Sequence, residues 1–429
     1  MKTFHTGLLL LFLLSLQWPG LPYAIHQSQY KIVHKSQQKT NHQALNGSRD
    51  QTVHKSQQRT KHQALHGSLH QALHQMFRWD RSVSQPDAEK PLEPNIDSRS
   101  QNRDIPYEQF EFTERHMGTL FRVVIYADNS SKERAMAAAD SAFRKAAYLN
   151  SIFSDYDPQS ELSRLSANAG SGKKTVVSDP LFRILQMANS LSVQTDGAFD
   201  VTAGPYTLAW REVIRGLRTN IPDPDELQAM AESVGYQHME LDSASRSVLL
   251  RRPGMRLDLG GIAKGYAADR MMNVLRSFDF QSVLIDAGGD MVAGDPPPGR
   301  NGWRISIPIY KSEDQWEPFI VEISNRALTS SGNLYQFFEQ DGIRYSHIVN
   351  PKTGKGVTGN MVATVTGPSG TWVDAWATAL HALGLDGLHL IEKTDGYDAI
   401  IQFRDEQNNE KVTMTPFFRE VFDYFLFEE

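Results

Sequence analysis

Three groups of residues have types and spacings suited to chemistry on a phosphorylated ligand. The first is Arg256-Leu257-Asp258-Leu259-Gly260-Gly261-Ile262-Ala263-Lys264-Gly265-Tyr266-Ala267-Ala268-Asp269. It reads as a short apolar strand, a double glycine and the first turn of a helix running to about Phe278. Adjacent glycines let the backbone approach a ligand closely. Helix N-terminal N–H groups with Lys264 beside them suit an anion, most simply a phosphate. Asp258 can accept hydrogen bonds from a sugar or base edge. A tight strand-to-helix turn with a solvated lysine would leave the same pattern.

The second group is Asp374-Ala375-Trp376-Ala377-Thr378, on an expected helix. Residues four apart share a helix face, so the carboxylate and the hydroxyl can reach one point. Two hard oxygen donors suit magnesium, which takes few protein ligands, and a carbonyl from Gly260 or Gly261 could complete the set. A surface Asp and a Thr bonded back to its own helix is the competing account. Third, His347 is the best general acid/base candidate, because its ordinary pKa lies near neutrality and the chain has no cysteine and no clear serine elbow. A histidine that merely pins a turn would look the same. Tyr156 is either a stacking platform for an aromatic ligand or an ordinary loop tyrosine. Magnesium, phosphate, an aromatic face and a proton acceptor together favour cleavage at a phosphoanhydride of a nucleotide-like ligand.

The elements that must position these groups begin near Tyr107. A strand is expected over 119–127. Ser130-Ser131-Lys132-Glu133 offers a capping box to an Ala-rich helix reaching Ile152. Ser178-Asp179-Pro180 caps a helix ending near Gln194, and Asp223-Pro224-Asp225-Glu226 starts another. A hairpin is expected over 236–250, with strands at 282–286, 303–309, 319–323, 361–365 and 397–403. Thr329-Ser330-Ser331-Gly332 and the run Ser346 to Gly354 read as turns, and a helix covers 371–383. The mixture lacks regular βα alternation and any dinucleotide fingerprint, which predicts an α+β fold of mixed or antiparallel sheets with packed helices. Ser171-Gly172-Lys173-Lys174-Thr175 is no phosphate loop, since it lacks the upstream glycine and the Ser or Thr that binds magnesium.

Composition bounds the rest. The 429 residues carry a net charge of -6, which offers no general attraction to nucleic acid, and the absence of cysteine excludes disulfides, thiolate zinc sites and a lipoprotein anchor. Residues 1–24 read as a secretory signal: Lys2, an apolar run from Leu8 to Leu16, and Pro22-Tyr23-Ala24 as a cleavage site. Pro22 is a poor match to a small-x-small site, so an uncleaved membrane anchor stays open. Residues 25–106 are polar and rich in Gln, His and Lys. The stretch from His34 to Ser48 recurs almost letter for letter from His54 to Ser68. Two copies with one Ala-Leu pair each cannot bury a core, so a disordered tether is expected. Its histidines suit metal buffering or no chemistry at all. Residues 107–429 form the expected catalytic domain.

One order of motifs runs through that domain. It comprises Met117-Gly118-Thr119, Phe153-Ser154-Asp155-Tyr156 with Ser160-Glu161-Leu162-Ser163, Gly197-Ala198-Phe199-Asp200, the stretch from Asp258 to Asp269, Gly288-Gly289-Asp290, Ser331-Gly332, His347-Ile348 with Pro351, and Asp374 with Thr378. The series resembles the bacterial FAD:protein FMN transferases, the ApbE family, over roughly residues 107 to 425. The resemblance implies an enzyme that cuts FAD with magnesium, releases AMP and joins FMN by a phosphoester to a threonine of a target protein. By match, Met117, Tyr156, Ala198, Phe199, Asp200, Asp258, Lys264 and Ile348 would line the FAD site. The Gly261 carbonyl, Asp374 and Thr378 would hold the metal, and His347 would assist deprotonation of the acceptor threonine. Lys264 stands where some members carry Glu. Targets in the family are typically exported or membrane redox proteins, which agrees with a signal peptide and a periplasmic or inner-membrane outer-face location. An FAD pyrophosphatase yielding FMN and AMP, and a non-catalytic FAD-binding protein, are the alternatives.

Overall fold

The computed structural model describes residues 107–312, 315–332, 337–404 and 410–426. The leader, repeat and linker expected over 1–106 lie outside them. The first strands, β1 (Tyr107–His116) and β2 (Thr119–Asp128), form a hairpin closed by Met117 and Gly118, with φ of 48° and 78°. Left-handed backbone at both turn residues matches the twist of the flanking strands. Then come β3 (Val283–Ala287), β4 (Asp290–Ala293), β5 (Ala327–Gly332), β6 (Phe337–Gln340), β7 (Ile343–Val349), β8 (Gly356–Thr358), β9 (Met361–Gly367), β10 (Asp398–Arg404) and β11 (Glu410–Met414). Eight of them make one sheet in the order β1-β2-β3-β4-β5-β9-β10-β11, antiparallel at every step. β6, β7 and β8 form a small separate sheet.

The helices that matter here are α1 (Lys132–Phe153), α2 (Asp179–Gln194), α3 (Gly204–Ile214), α4 (Ala263–Ser277) and α5 (Gly370–Leu383). Successive strand residues point to opposite faces. In β2, Phe121, Val123 and Ile125 join the core under α1, α4 and α5, while Val124 joins a second core with Trp303, Ile305, Ile307 and Val321 of the hairpin Trp303–Ser312/Gln315–Ile323. Each of these fully buried aliphatic and aromatic side chains contributes about 1.5–3 kcal/mol. The sheet is thus covered by helices on one face and by a hairpin on the other, the α+β arrangement expected.

Three local expectations fail. Ser131 makes no side-chain cap to α1. The hydroxyls of Ser130 and Ser131 donate instead to the Asp128 carboxylate, an acceptor the capping-box pattern did not include. Residues 256–259 form no strand. Arg256 makes a single bridge to Ala203 and the Asp258 N–H donates to the Val201 carbonyl at 2.8 Å, so the segment is pinned by isolated bonds. Thr329–Gly332 lies not in a turn but inside β5, between β4 and β9, and residues 346–349 belong to β7. In β5 the Ser330 hydroxyl lies 2.7 Å from that of Thr364 across the ladder, whereas the buried Thr329 hydroxyl has no hydrogen-bond partner among the described residues.

Candidate active site

The meeting of α4 and α5 builds the centre. A Cβ on Gly265 would stand 2.1 Å from the Gly370 carbonyl oxygen and 2.8 Å from Asp374 Cβ, so only glycine allows the two helices this approach. At that contact the Gly265 N–H donates to Asp374 Oδ2 at 3.0 Å. One turn further along α4, Asp269 caps α5. Its carboxylate accepts the N–H groups of Gly370 (2.8 Å) and Thr371 (2.9 Å) and the hydroxyls of Ser369 (2.8 Å) and Thr371 (2.6 Å). The two N–H groups are otherwise orphaned donors of a helix N-terminus. Asp374 is therefore fixed from α4 at two points.

Thr378, one turn after Asp374, lies against the glycine turn: a Cβ on Gly261 would be 2.9 Å from Thr378 Oγ1. Thr378 Oγ1 thus lies beside the Gly261 peptide, on the α5 face that carries Asp374 one turn earlier, a placement that hard-oxygen coordination of magnesium could use. Among the described residues no group of three or more His, Cys, Asp or Glu is poised for a metal, and this set uses only one carboxylate. Asp374 is 2% exposed, and burial first, then neighbouring Asp290, push its carboxyl up to about 7 against the pull of Lys264. A buried carboxylate held that high is under-supplied with positive charge, which a divalent cation would correct.

Lys264 does not stand free. Its Nζ is 2.5 Å from Asp290 Oδ2 and 3.8 Å from Asp374 Oδ1. Burial alone would lower the ammonium, but Asp290 and then Asp374 outweigh it and hold it above its ordinary value. Asp290 opens β4 just after Gly288 and Gly289. A Cβ on Gly288 would meet Thr119 at 2.4–2.9 Å, which joins this turn to the hairpin carrying Met117.

A second cluster surrounds Asp258. Arg211 on α3 donates from Nη2 to Asp258 Oδ2 at 2.6 Å and from Nη1 to Asp155, and the Gly260 N–H donates to Asp258 Oδ1 at 2.7 Å. Burial works to raise the Asp258 carboxyl, but Arg211 and the Thr207 and Gly260 donors hold it below its ordinary range. Burial and then Asp258 raise Asp155. Tyr156, 59% exposed, has the Arg211 and Arg215 guanidinium carbons 4.7 and 5.0 Å from its ring centroid. Close by, Ala198 and Phe199 are buried, and Asp200 accepts the N–H and hydroxyl of Thr202 and the N–H of Tyr236. The Asp200 carboxylate thereby ties its own loop to the backbone at Tyr236.

His347 and Ile348 lie half-buried on β7. That strand is fastened to α3 by Trp210, whose ring centroid is 5.3 Å from that of Tyr345 and whose indole N–H donates to the Gly354 carbonyl at 2.8 Å. Near His347 sits His381 of α5, fully buried, its two ring nitrogens without a hydrogen-bond partner among the described residues. Burial, and secondarily the charge of His347, lower His381 to about 3.

The sequence-predicted residues thus fall into an Asp258–Tyr156 pole and an Asp374–Thr378 pole joined by the run Asp258–Lys264. Met117, the loop from Ala198 to Asp200, and the pair His347 and Ile348 come from separate elements. Sequence reasoning assigned no role to Asp155, Arg211, Asp269 or Asp290. Three of these lie inside quoted motifs, but Arg211 carried no local signal, because its partners lie 56 and 47 positions away.

The profile of the ApbE family matches residues 117–401. An FAD:protein FMN transferase of Treponema pallidum is 31% identical over 314 residues, 70% of this chain and 86% of the relative. That of Escherichia coli K12 is 28% identical over 275 residues, 62% and 77% of the two chains. Among solved structures, the flavinyl transferase ApbE of Pseudomonas stutzeri in its apo form superposes with a TM-score of 0.64 at 27% identity, covering 74% of this chain and 97% of its own. The flavin transferase ApbE of Vibrio cholerae gives 0.65 at 25% identity, covering 73% and 99%.

Proposed function

The chain belongs to the ApbE family, and from that membership we propose that it is a magnesium-dependent transferase that moves FMN from FAD to a threonine of a target protein. The acceptor hydroxyl oxygen attacks the phosphorus on the FMN side of the pyrophosphate. The bond from that phosphorus to the bridging oxygen breaks, AMP leaves with that oxygen, and the new phosphoester joins FMN to the threonine. His347 takes the hydroxyl proton, a general-base contribution of about 10²–10⁴-fold.

Asp374, Thr378 and the Gly261 carbonyl would hold magnesium, which when bound stabilises the charge developing on the phosphoryl oxygens. Asp269 and Gly265 hold Asp374 in place. Tyr156 offers a partly exposed aromatic face to the ligand, and Asp258, hydrogen-bonded to the Arg211 guanidinium, would help to orient it. Lys264, already bound to Asp290, contributes fixed positive charge beside Asp374 rather than a free arm to reach the nucleotide. The reading extends to location: the 1–24 leader would export the domain, to the periplasm or to the outer face of the inner membrane, where a redox protein would be the acceptor.

The observation that supports this reading best is the packing of Thr378 on Gly261 and of Asp374 on Gly265 where α4 meets α5. The test is mass spectrometry of a threonine-bearing acceptor peptide after incubation with FAD and magnesium. A gain equal to an FMN phosphoester is expected with the wild type, falling more than about 100-fold with Asp374→Ala. Free FMN and AMP without labelled peptide would turn the reading to FAD hydrolysis.

A further inference from the structure

We propose that Arg211 is the positioning residue of the flavin-nucleotide site, a clamp that fixes the Tyr156 turn and the Asp258 carboxylate relative to each other; the proposal rests on the FAD reading above. The guanidinium is a planar fork, and here it spans two carboxylates from distant parts of the chain, with side-chain exposures of 11% for Asp155 and 9% for Asp258. The Asp155 carbonyl in turn accepts from Arg256 Nη2 at 2.6 Å, so the turn before Tyr156 is held on its backbone as well. On the other arm, Arg211 and the Gly260 N–H each occupy one oxygen of Asp258. A Cβ on Gly260 would stand 3.0 Å from Asp258 Oδ1 and 3.7 Å from Arg211 Nη2, so the glycine turn packs directly on this pair.

Tyr156 needs such a device. Its ring is largely exposed and lies against guanidinium groups, so apolar burial does little to place it. Without Arg211 the two carboxylates would face each other with only Arg256 left beside Asp155, and Asp258 would keep only its Gly260 and Thr207 donors. The bonds that fix Asp374 come from Gly265 and, through the start of α5, from Asp269. The clamp therefore acts on ligand binding and leaves Asp374, the one charged donor of the metal pole, held by its own bonds.

The test measures FAD affinity by flavin fluorescence, kcat and KM for FAD, and Mn2+ affinity, in the wild type, Arg211→Gln, Arg211→Lys and Asp155→Asn. Arg211→Gln should raise Kd and KM for FAD about 10–100-fold, the range for residues that orient a binding group, while kcat at saturating FAD and Mn2+ affinity stay within about twofold. Arg211→Lys should recover part of the loss, because an ammonium can serve one carboxylate but not both. Asp155→Asn keeps the Arg211–Asp258 pair and should weaken FAD binding less; it carries the test if Arg211→Gln does not fold. Unchanged FAD affinity in Arg211→Gln, or in Asp155→Asn where that variant stands in, overturns the clamp alone. So does a fall in kcat with Kd intact. A wild type that binds no FAD removes the flavin reading itself, and the clamp with it.

Discussion

Two buried charge clusters flank the glycine turn, and they differ in what they lack. Around Arg211, two carboxylates share a guanidinium and a second arginine reaches the Asp155 backbone; the Asp258 carboxyl lies below its ordinary range, while burial and Asp258 raise that of Asp155. Around Lys264, two carboxylates 2–3% exposed share one ammonium, and the Asp374 carboxyl is pushed up to about 7. Hydrogen bonds from one guanidinium fork to both carboxylates make the first a scaffold, since a connected buried network fixes geometry. Incomplete pairing leaves the second short of positive charge. On the proposed function, the contrast separates the part that would orient the nucleotide from the part that would accept a cation.

The largest effect is expected outside both clusters. His347→Ala should lower peptide flavinylation by about 10²–10⁴-fold while FAD affinity by fluorescence and Mn2+ affinity remain, because the bonds that build the two poles come from α3, α4, α5 and the Asp155 turn. Loss of FAD binding in that variant would move His347 from proton transfer to ligand placement.

Asp269→Ala comes next. It strips four hydrogen bonds from the start of α5 and should cost about 2 kcal/mol or more in chemical denaturation, with Mn2+ affinity falling in parallel. The corresponding loss from Arg211→Gln should leave Mn2+ affinity intact. Equal effects of the two on the metal would erase the distinction between the clusters.

The smallest effect is a pH dependence. The Asp374 carboxyl is raised above its ordinary value of 3.8 to about 7, so the folded state holds a proton that the unfolded state releases. Stability of the metal-free protein from this group should therefore fall as pH rises from about 4 to about 7. Magnesium should reverse the loss above that window, and Asp374→Asn should flatten it. Urea midpoints with and without magnesium across pH 4–8 check the sign.

Much of this could be read from local pattern. Asp374 and Thr378 share a face because four residues make about one helical turn, and α5 has that geometry. The capping of α2 by Ser178, whose hydroxyl oxygen accepts the Leu181 N–H, followed from Ser-Asp-Pro. What could not be read depended on partners far along the chain. Lys264 looked like a free phosphate ligand because Asp290 reaches it only once β3 and β4 fold back beside α4. Thr329-Ser330-Ser331-Gly332 looked like a turn by composition, yet antiparallel neighbours on both sides pair its backbone, and tertiary pairing overrode local preference. Residues 256–259 had strand composition but no complete neighbouring strand, and remain a pinned connector.

The central claim, that the Asp374–Thr378 pole is built for a divalent cation, is tested most directly by a Mn2+ titration without FAD, read by electron paramagnetic resonance. Wild type and Arg211→Gln should bind Mn2+ with similar affinity, and Asp374→Ala and Thr378→Val should lose or sharply weaken that binding while remaining folded. Mn2+ bound equally well by Asp374→Ala and the wild type would contradict the account.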